Sequence, residues 1–424
     1  MQQFSIMVRL SVMMFLQFFV WGAWYVTVGN YMTSHDMGTI IGWAYSVGPL
    51  AAIISPLFLG MIADRYFSSE RVLGALHLLG GLVMFAAPVV AEQSALAGLI
   101  AQSLFIGVLL VHMLCYMPTL GLTNTLAFHN LTNQERQFPL IRVFGTIGWI
   151  AANFVVSKIF HADTEALQFY ITGGAAILLG VYSFSLPHTP PPAAGQETSI
   201  RQILGLDSLK LMRQTSFAVF IVSSFLICIP LAAYYAYAPV FVKDAGFADP
   251  AFTMMFGQVS EIFFMLVMPL FFVRLGVKWM LLVGMFAWVL RYGLFATAAP
   301  DAVTWMILSG IVLHGICYDF FFVTGFIYVD KKATKDIRGQ AQGFLVLVTQ
   351  GFGMLVGAQV AQALANRILS PEATDLGPWR MFWIVPCVAA AVIMVLFGLF
   401  FKDRVATQVT ESEVAAASLV EEQP

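Results

Sequence analysis

The chain has 424 residues, of which 59% are hydrophobic and 10% are charged, and its formal net charge at pH 7 is -2. Its mean hydropathy of +0.83 far exceeds that of a soluble domain, so apolar side chains must face lipid as well as a protein core. These values exclude a soluble globular protein and indicate an integral membrane protein.

Apolar runs near the length of about 20 residues that a spanning helix needs recur along the whole chain. We count twelve, at approximately 7–31, 40–63, 71–91, 96–127, 140–160, 167–187, 216–242, 252–273, 277–298, 302–329, 339–365 and 379–401. The first run, which contains Trp21 and Trp24, is too long and too aromatic for a cleaved signal sequence. The short alternating strands of a transmembrane barrel do not occur in the sequence. We therefore predict an all-α membrane protein with twelve transmembrane helices.

Basic residues concentrate in alternate loops. If the N-terminus is cytoplasmic, only Lys158, Lys243, Arg367 and Arg380 fall in loops that face outward. Such an asymmetry follows the positive-inside rule and predicts that both termini are cytoplasmic.

The longest polar break begins near the proline run Pro190–Pro192 and separates six predicted helices from six others. A weak internal repeat supports this division, because Ser55-Pro-Leu-Phe58 resembles Met268-Pro-Leu-Phe271. We predict four regions, an N-terminal six-helix half at 1–187, a cytoplasmic linker at 188–215, a C-terminal six-helix half at 216–402 and a cytoplasmic tail at 403–424.

Arg142, Glu261 and Asp319 are ionisable residues inside otherwise apolar runs. An Asp, Lys or Arg at the centre of a membrane helix costs roughly 2.5–3.5 kcal/mol on insertion scales, and such residues usually face a partner or a watery cavity. The sequence therefore predicts a polar cavity inside the bundle. The four cysteines lie singly in separate apolar runs, which favours small core residues over a metal site or a disulfide framework.

The loop after the second predicted helix, Gly60-Met-Ile-Ala-Asp64-Arg65, resembles the first inner loop of the major facilitator superfamily. In that superfamily a Gly-x-x-x-Asp-Arg motif braces two six-helix halves on the cytoplasmic side. The usual Gly-Arg-Arg continuation is replaced here by Tyr66-Phe-Ser-Ser-Glu-Arg71. The match is therefore partial, and ordinary charged loop residues that orient the helices are the alternative.

Longer strings on nearly all the predicted helices are similar to the bacterial nucleoside:proton symporter family of that superfamily. They are Tyr116-Met-Pro-Thr-Leu-Gly-Leu-Thr-Asn124, Pro139-Leu-Ile-Arg-Val-Phe-Gly-Thr-Ile-Gly148, Leu204-Gly-Leu-Asp207, Gln258-Val-Ser-Glu261, Ala287-Trp-Val-Leu-Arg291, Tyr318-Asp-Phe-Phe321 and Gly339-Gln-Ala-Gln-Gly343. One departure lies on the seventh predicted helix, where Tyr234, Tyr235 and Tyr237 stand in a segment that usually carries polar amides in the family. The pocket is therefore expected to take a different subset of nucleosides, or a related solute.

The resemblance implies substrate contacts on the fifth, eighth and tenth helices, at Arg142, Thr146, Gln258, Glu261, Tyr318 and Asp319. Amide, carboxylate and guanidinium groups suit ribose hydroxyls and a base edge. A spacing of four residues places Arg142 and Thr146 on one helix face, and a spacing of three does the same for Gln258 and Glu261. Further expected substrate contacts are His314, Trp149 and Phe322. Phe144 is another candidate for stacking on the base, and Gln17, Trp21, Trp24 and Asn30 are possible lining residues on the first helix.

For several of these residues a structural role is the alternative. Arg142 could form an ion pair that only holds the bundle together, and His314, Trp149 and Phe322 could be packing residues. Arg291, on a helix that is usually peripheral in this fold, is interpreted as a brace or as a snorkelling residue.

The sequence contains no P-loop, nucleotide-binding domain or HExxH motif, so we expect no enzyme, no catalytic residues, no cofactor and no metal. A proton gradient would then drive uptake. We predict that Asp319 exchanges the proton and Glu261 binds substrate, and the reverse assignment stays open. A symporter for a sugar or another polar metabolite and a nucleoside sensor that transports nothing remain alternatives. The expected partners are nucleoside, proton and membrane lipid, without nucleic acid, and we expect a monomer in a bacterial cytoplasmic (inner) membrane.

Overall fold

The structure is a computed structural model that describes residues 2–58, 66–191, 206–334, 337–369 and 375–402. These ranges are almost entirely helical and contain no strand. The first six long helices are α1 at Gln2–Tyr25 with a continuation at Val28–Ser34, α2 at Ile41–Phe58, α3 at Ser69–Met84 with a continuation at Ala86–Ala97, α4 at Leu99–Asn130, α5 at Gln134–Asn153 with a continuation at Phe154–Ile159, and α6 at Leu167–Ser183. The others are α7 at Thr215–Asp244, α8 and α9 at 250–275 and 277–298, α10 at Thr304–Lys332, α11 at Arg338–Ile368 and α12 at Gly377–Phe400.

Gly276 divides the longest helical run into α8 and α9. The run Pro250–Ala298 has 49 residues and would be about 74 Å long as one helix, more than twice the hydrocarbon thickness of a bilayer. The backbone of Gly276 has φ 66° and ψ 175°, a conformation that glycine adopts without a Cβ clash. Ten described helices are long and apolar enough to cross a membrane. These ten include the α8–α9 run as one helix and leave out the shorter apolar helix α6. With that run divided at Gly276 and α6 added, the described helices agree with the twelve predicted spans.

Helices that precede the predicted linker pack mainly on one another, with α1 against α5 and α6 and α3 against α4 and α6. In the later part of the chain, α12 and α10 pack on the α8–α9 unit, and α7 packs on α11 and α12. The two groups meet where α2 contacts α11 and where α5 contacts α8. The predicted loop motif at 60–65, most of the linker (192–205) and the tail at 403–424 lie outside the described residues.

One face of the contact between the two groups is joined by a cluster that we call the clasp: Lys158, His161 and Asp163 from the α5–α6 region, with Asp249 and Ala251 at the start of α8. Lys158 Nζ donates to Asp249 at 2.6 Å, and His161 Nδ1 lies 2.9 Å from the same carboxylate. The backbone N–H of Ala251 donates to Asp163 at 2.9 Å. Because Lys158 donates to it, the pKa of Asp249 is lowered from its ordinary value of 3.8. In the predicted orientation the clasp is on the periplasmic face.

Large apolar side chains remain exposed on the outside of the bundle, among them Leu266, Phe263 and Leu399. Contiguous apolar surface of this kind is unfavourable in water and favourable against lipid tails. The outer surface is therefore suited to a membrane, and the polar groups considered next lie inside.

Candidate substrate cavity

A cavity of about 140 Å³ lies between the two groups of helices. Its volume is close to that of the roughly 150 Å³ engineered cavities that admit a single aromatic ring. The lining residues come from α1, α5, α7, α8, α10 and α11, and they are Phe18, Trp21, Tyr25, Arg142, Thr146, Trp149, Tyr235, Gln258, Glu261, His314, Tyr318, Gln350 and Met354.

Helix α5 contributes Arg142, Thr146 and Trp149 to the cavity wall. Their spacing of four and then three residues places all three on one face of a regular helix. The guanidinium carbon of Arg142 lies 4.2 Å from the ring centroid of Phe18 on α1, which is a cation–π contact. Phe144 is 42% exposed and is not a lining residue, so α5 presents its polar face inward and an apolar face outward.

Helices α8 and α10 approach each other closely at Gly315, where the backbone N–H donates to Ser260 Oγ at 3.0 Å. A Cβ atom on Gly315 would lie 2.6 Å from the Ser260 backbone, so only glycine permits this separation. The approach places His314 of α10 beside Glu261 of α8, with His314 Nε2 3.7 Å from Glu261 Oε2. Gln258, one turn before Glu261, also lines the cavity.

Asp319 differs from Glu261 in its surroundings. Its side chain is fully buried, and neither carboxyl oxygen has a hydrogen-bond partner among the described residues. Asp319 is not among the residues that line the cavity, although its neighbour Tyr318 is. It begins a π-helical segment, Asp319–Val323, and such widened turns frequently occur at functional sites.

The same π-helical turn accounts for the position of Phe322, which the sequence predicts to share a face with Tyr318. An extra residue in one turn rotates the following side chains by about 100° relative to a regular helix. Phe322 lies outside the cavity and packs against Trp288 at 5.9 Å and Phe321 at 5.3 Å between ring centroids. Its ring still contacts that of Tyr318 at 5.2 Å.

Aromatic rings form one wall of the cavity. Trp21 packs edge-on against Trp149 at 5.5 Å, and Tyr25 lies 6.2 Å from Tyr235. The indole N–H groups of both tryptophans have no partner among the described residues, and an indole nitrogen can only donate. The wall thus combines apolar faces for stacking with two donors.

Of the three tyrosines on α7, only Tyr235 lines the cavity. Tyr234 packs against Arg291, and Tyr237 packs against Phe382 at 5.1 Å. Successive residues of a helix point in different directions, so a cluster of three tyrosines cannot share one face.

The structure adds four lining residues that the sequence reasoning missed: Phe18, Tyr25, Gln350 and Met354. Tyr25 is four residues after Trp21 on the same helix face, and Gln350 is an amide inside an apolar run, so both carried a signal. Phe18 and Met354 are apolar in apolar helices and carried none. Among the other first-helix candidates, Trp21 lines the cavity. Gln17, Trp24 and Asn30 are fully buried elsewhere, and Gln17 donates to Thr119.

The profile of the Nucleoside H+ symporter family matches residues 4–406. The chain belongs to this family. It is 41% identical over 407 residues to the putative nucleoside transporter YegT of Escherichia coli, covering 93% of each chain. It is 33% identical to the xanthosine permease of the same organism, over 94% of this chain and 96% of the relative. A crystal structure of a mutant of the nucleoside transporter NupG superposes with a TM-score of 0.84 at 29% identity, covering 94% of this chain and all of that one.

Membership confirms the predicted class of protein. The family consists of transporters, so the chain is a transporter and not an enzyme, and it is a multi-pass protein of the bacterial inner membrane. The predicted function, proton-coupled nucleoside uptake, is confirmed at the level of the family. The likeness to NupG also confirms the all-helical major facilitator fold.

Proposed function

We propose that the cavity binds a nucleoside through Arg142, Thr146, Gln258 and Glu261, and that Asp319 carries the coupled proton. One observation supports this proposal above the others. Seven of the nine side chains predicted to contact substrate, contributed by α5, α8 and α10, line a single cavity at the contact between the two groups of helices.

The chemistry of the lining suits a neutral solute with a flat ring. Arg142 donates only, the Glu261 carboxylate accepts only, and Gln258 and Thr146 do both, which matches hydroxyls and a base edge that also do both. Trp149 and Tyr318 offer ring faces on which a base stacks. Because the cavity as it stands has room for about one ring, a whole nucleoside requires it to widen, as expected when two halves rock around the site.

Burial separates the two acids into different roles. An ionised carboxylate at Asp319 would be buried without any partner among the described residues, and such a charge is costly in an apolar interior. Asp319 therefore holds a proton in this conformation and releases it when the surroundings open. The side chain of Glu261 is 15% exposed and lies beside His314, and this exposure supports the substrate-binding role that we propose for it.

The proton gradient supplies the energy. One proton moving across about 100 mV gains about 2.3 kcal/mol, and a tenfold pH gradient adds about 1.4 kcal/mol. Together these terms support roughly 500-fold accumulation of a neutral solute. In the proposed arrangement both termini are cytoplasmic, the clasp faces the periplasm, and the monomer alternates between a state with the clasp joined and a state with it open.

The test compares two acid-to-amide variants in vesicles and after purification. Asp319→Asn should stop accumulation driven by a pH gradient while binding and exchange between equal pools survive, because an amide still forms hydrogen bonds but cannot release a proton. Glu261→Gln should weaken nucleoside binding by more than about tenfold, since it removes a charged acceptor from the site. Asp330→Asn, a half-exposed acid on the same helix as Asp319, is the matched control.

Each outcome separates the candidates. Accumulation at the wild-type level in Asp319→Asn would move the proton to Glu261, and wild-type affinity in Glu261→Gln would remove that residue from the site. Competition by sugars but not by nucleosides would favour the sugar symporter. Binding without any accumulation in wild-type vesicles would favour a sensor.

A further inference from the structure

A side pocket of about 20 Å³ adjoins the substrate cavity. It shares four lining residues with the cavity, namely Tyr25, Trp149, Tyr235 and Gln258. Its other lining residues are Val26, Tyr234, Pro239 and Met254. One water molecule needs roughly 10–15 Å³, so the side pocket has room for about one non-hydrogen atom. A substrate in the cavity can therefore place a single small substituent in the side pocket.

Trp149 gives the side pocket a hydrogen-bond donor of fixed polarity. Its indole N–H is buried and has no partner among the described residues, and an indole nitrogen donates but cannot accept. The ring packs edge-on against Trp21 at 5.5 Å and against Tyr25 at 6.1 Å between centroids. On the α1 side, a Cβ atom at Gly22 would lie 3.2 Å from Cα and Cδ2 of Trp149. Neighbours this close restrict rotation of the indole and hold its N–H in position.

Tyr234 brings a second unsatisfied group to the side pocket. The residue is 1% exposed, and its hydroxyl has no partner among the described residues. Its ring centroid lies 4.0 Å from the guanidinium carbon of Arg291. Arg291 is fully buried, so it does not snorkel but braces this ring. The Tyr234 hydroxyl and the Gln258 amide both donate and accept, so both can adapt to a group that accepts from Trp149.

The side pocket therefore favours a substituent that accepts a hydrogen bond. A buried donor without a partner is costly, and an acceptor removes that cost at Trp149. The bases of nucleosides carry two kinds of exocyclic group on this edge, because a carbonyl oxygen accepts whereas an amino group donates. An indole N–H lies in the plane of its ring, so it meets the edge of a base, and Tyr318 then supplies the ring face for stacking.

We propose that the side pocket takes the carbonyl oxygen at position 4 of a pyrimidine base or position 6 of a purine base, and that Trp149 selects it. The transporter then prefers uridine to cytidine and inosine to adenosine. This inference rests on the proposed binding of a nucleoside in the cavity, and it adds the kind of base. An amino group in the same place would set one donor against another, which should weaken binding by roughly 5-fold to 150-fold.

The experiment measures the affinities of these nucleosides for the purified full-length protein by calorimetry. Wild type should bind uridine and inosine roughly 5-fold to 150-fold more tightly than cytidine and adenosine, respectively. Trp149→Phe keeps an aromatic ring in the wall but removes the N–H. Both affinity ratios should therefore fall to within about 2-fold of unity in this variant.

Two other indoles provide matched controls. The N–H of Trp21 also lacks a partner among the described residues, but Trp21 lines the cavity without lining the side pocket. Trp21→Phe should therefore keep both affinity ratios, whatever it does to the affinities themselves. Trp288 on α9 is fully buried and lines neither space, so Trp288→Phe should change neither the affinities nor their ratios.

Equal affinities within both pairs in wild type, or a preference for cytidine and adenosine, would overturn the inference and leave the proposed function intact. A preference that survives in Trp149→Phe would overturn it, and so would an equal loss of preference in Trp21→Phe. If no nucleoside binds wild type, the proposed function itself fails, and the inference fails with it.

A measurement on the unaltered protein covers the case in which Trp149→Phe does not fold. The riboside of 2-pyrimidinone lacks the oxygen at position 4 but keeps the ribose and the six-membered ring. It should bind wild type at least about 5-fold more weakly than uridine, because it leaves the N–H of Trp149 without an acceptor. An affinity equal to that of uridine would overturn the proposal.

Discussion

Gly42, at the start of α2, touches α11 across the contact between the two groups of helices. Its backbone N–H donates to Gln362 Oε1 at 2.5 Å. A Cβ atom at position 42 would lie 2.5 Å from Gln362 Cβ and 2.6 Å from the carbonyl oxygen of Ala358. The carbonyl belongs to the α11 backbone, so Gly42→Ala forces the two helices apart instead of moving a flexible side chain.

The cost applies only while α2 and α11 are in contact. Inserting a methyl group into a closely packed site typically costs about 1–3 kcal/mol. In a conformation in which this face is open, the added methyl group makes no close contact. Gly42→Ala should therefore shift the equilibrium toward the open conformation by roughly 5-fold to 150-fold. Under alternating access, the variant should therefore populate a state that is open on the face that carries the clasp.

Spin labels at Asp36 and Arg367, on the two sides of this face, would report the shift as a longer distance between them. Gly38→Ala is the matched control, because a Cβ at position 38 meets nothing within 4 Å although it lies in the same segment. An unchanged distance in Gly42→Ala would refute the reasoning, as would an equal change in both variants.

Two further predictions concern α7 and the clasp. Tyr235→Phe should change the relative affinities of competing nucleosides by roughly 2-fold to 10-fold, the value of one hydrogen bond. Tyr237→Phe should leave the order of these affinities unchanged, because Tyr237 packs away from the cavity. An unchanged order in both variants would place Tyr235 outside substrate contact. Asp249→Asn should favour opening of the clasp by less than about 5-fold, because Lys158 and His161 are 47% and 68% exposed and exposed ion pairs contribute under about 1 kcal/mol. The pKa of Asp249 is lowered, so the contribution of Asp249 to the clasp is present above pH 3.8 and is lost only as the pH falls through the lowered pKa. The distance between the spin labels should therefore not respond to this group between pH 5 and pH 8. The response of that distance to Asp249→Asn should shrink at high salt.

The sequence located the cavity residues where the helices are regular. Arg142 with Thr146 and Gln258 with Glu261 lie on the faces that a period of 3.6 residues predicts, and both pairs reach one cavity. Phe322 and Gln350 lie in the π-helical segments of α10 and α11. A period of 3.6 residues does not predict a widened turn, and such a turn rotates the side chains that follow it.

Arg291 illustrates a different limit. A charged residue in an apolar run is costly and therefore indicates stabilising contacts, but the sequence does not identify the residues that make them. Here the contacts are with Tyr234, 57 positions earlier, and Gly310 on the next helix. Contacts between helices distant in sequence are set by tertiary packing, which periodicity along one helix cannot describe.

Electrostatic interaction between the two acids offers a route for coupling. Asp319 directly follows Tyr318, which lines the same cavity as Glu261, so like charge disfavours the state in which both acids are ionised. Under the proposed roles of the two acids, a substrate that donates hydrogen bonds to Glu261 holds it in the ionised form and thereby makes Asp319 retain its proton. Linkage is reciprocal, so a proton on Asp319 must favour substrate binding to the same extent. The loaded carrier then holds substrate and proton together, which is the requirement for symport, and neither ligand needs to touch the other.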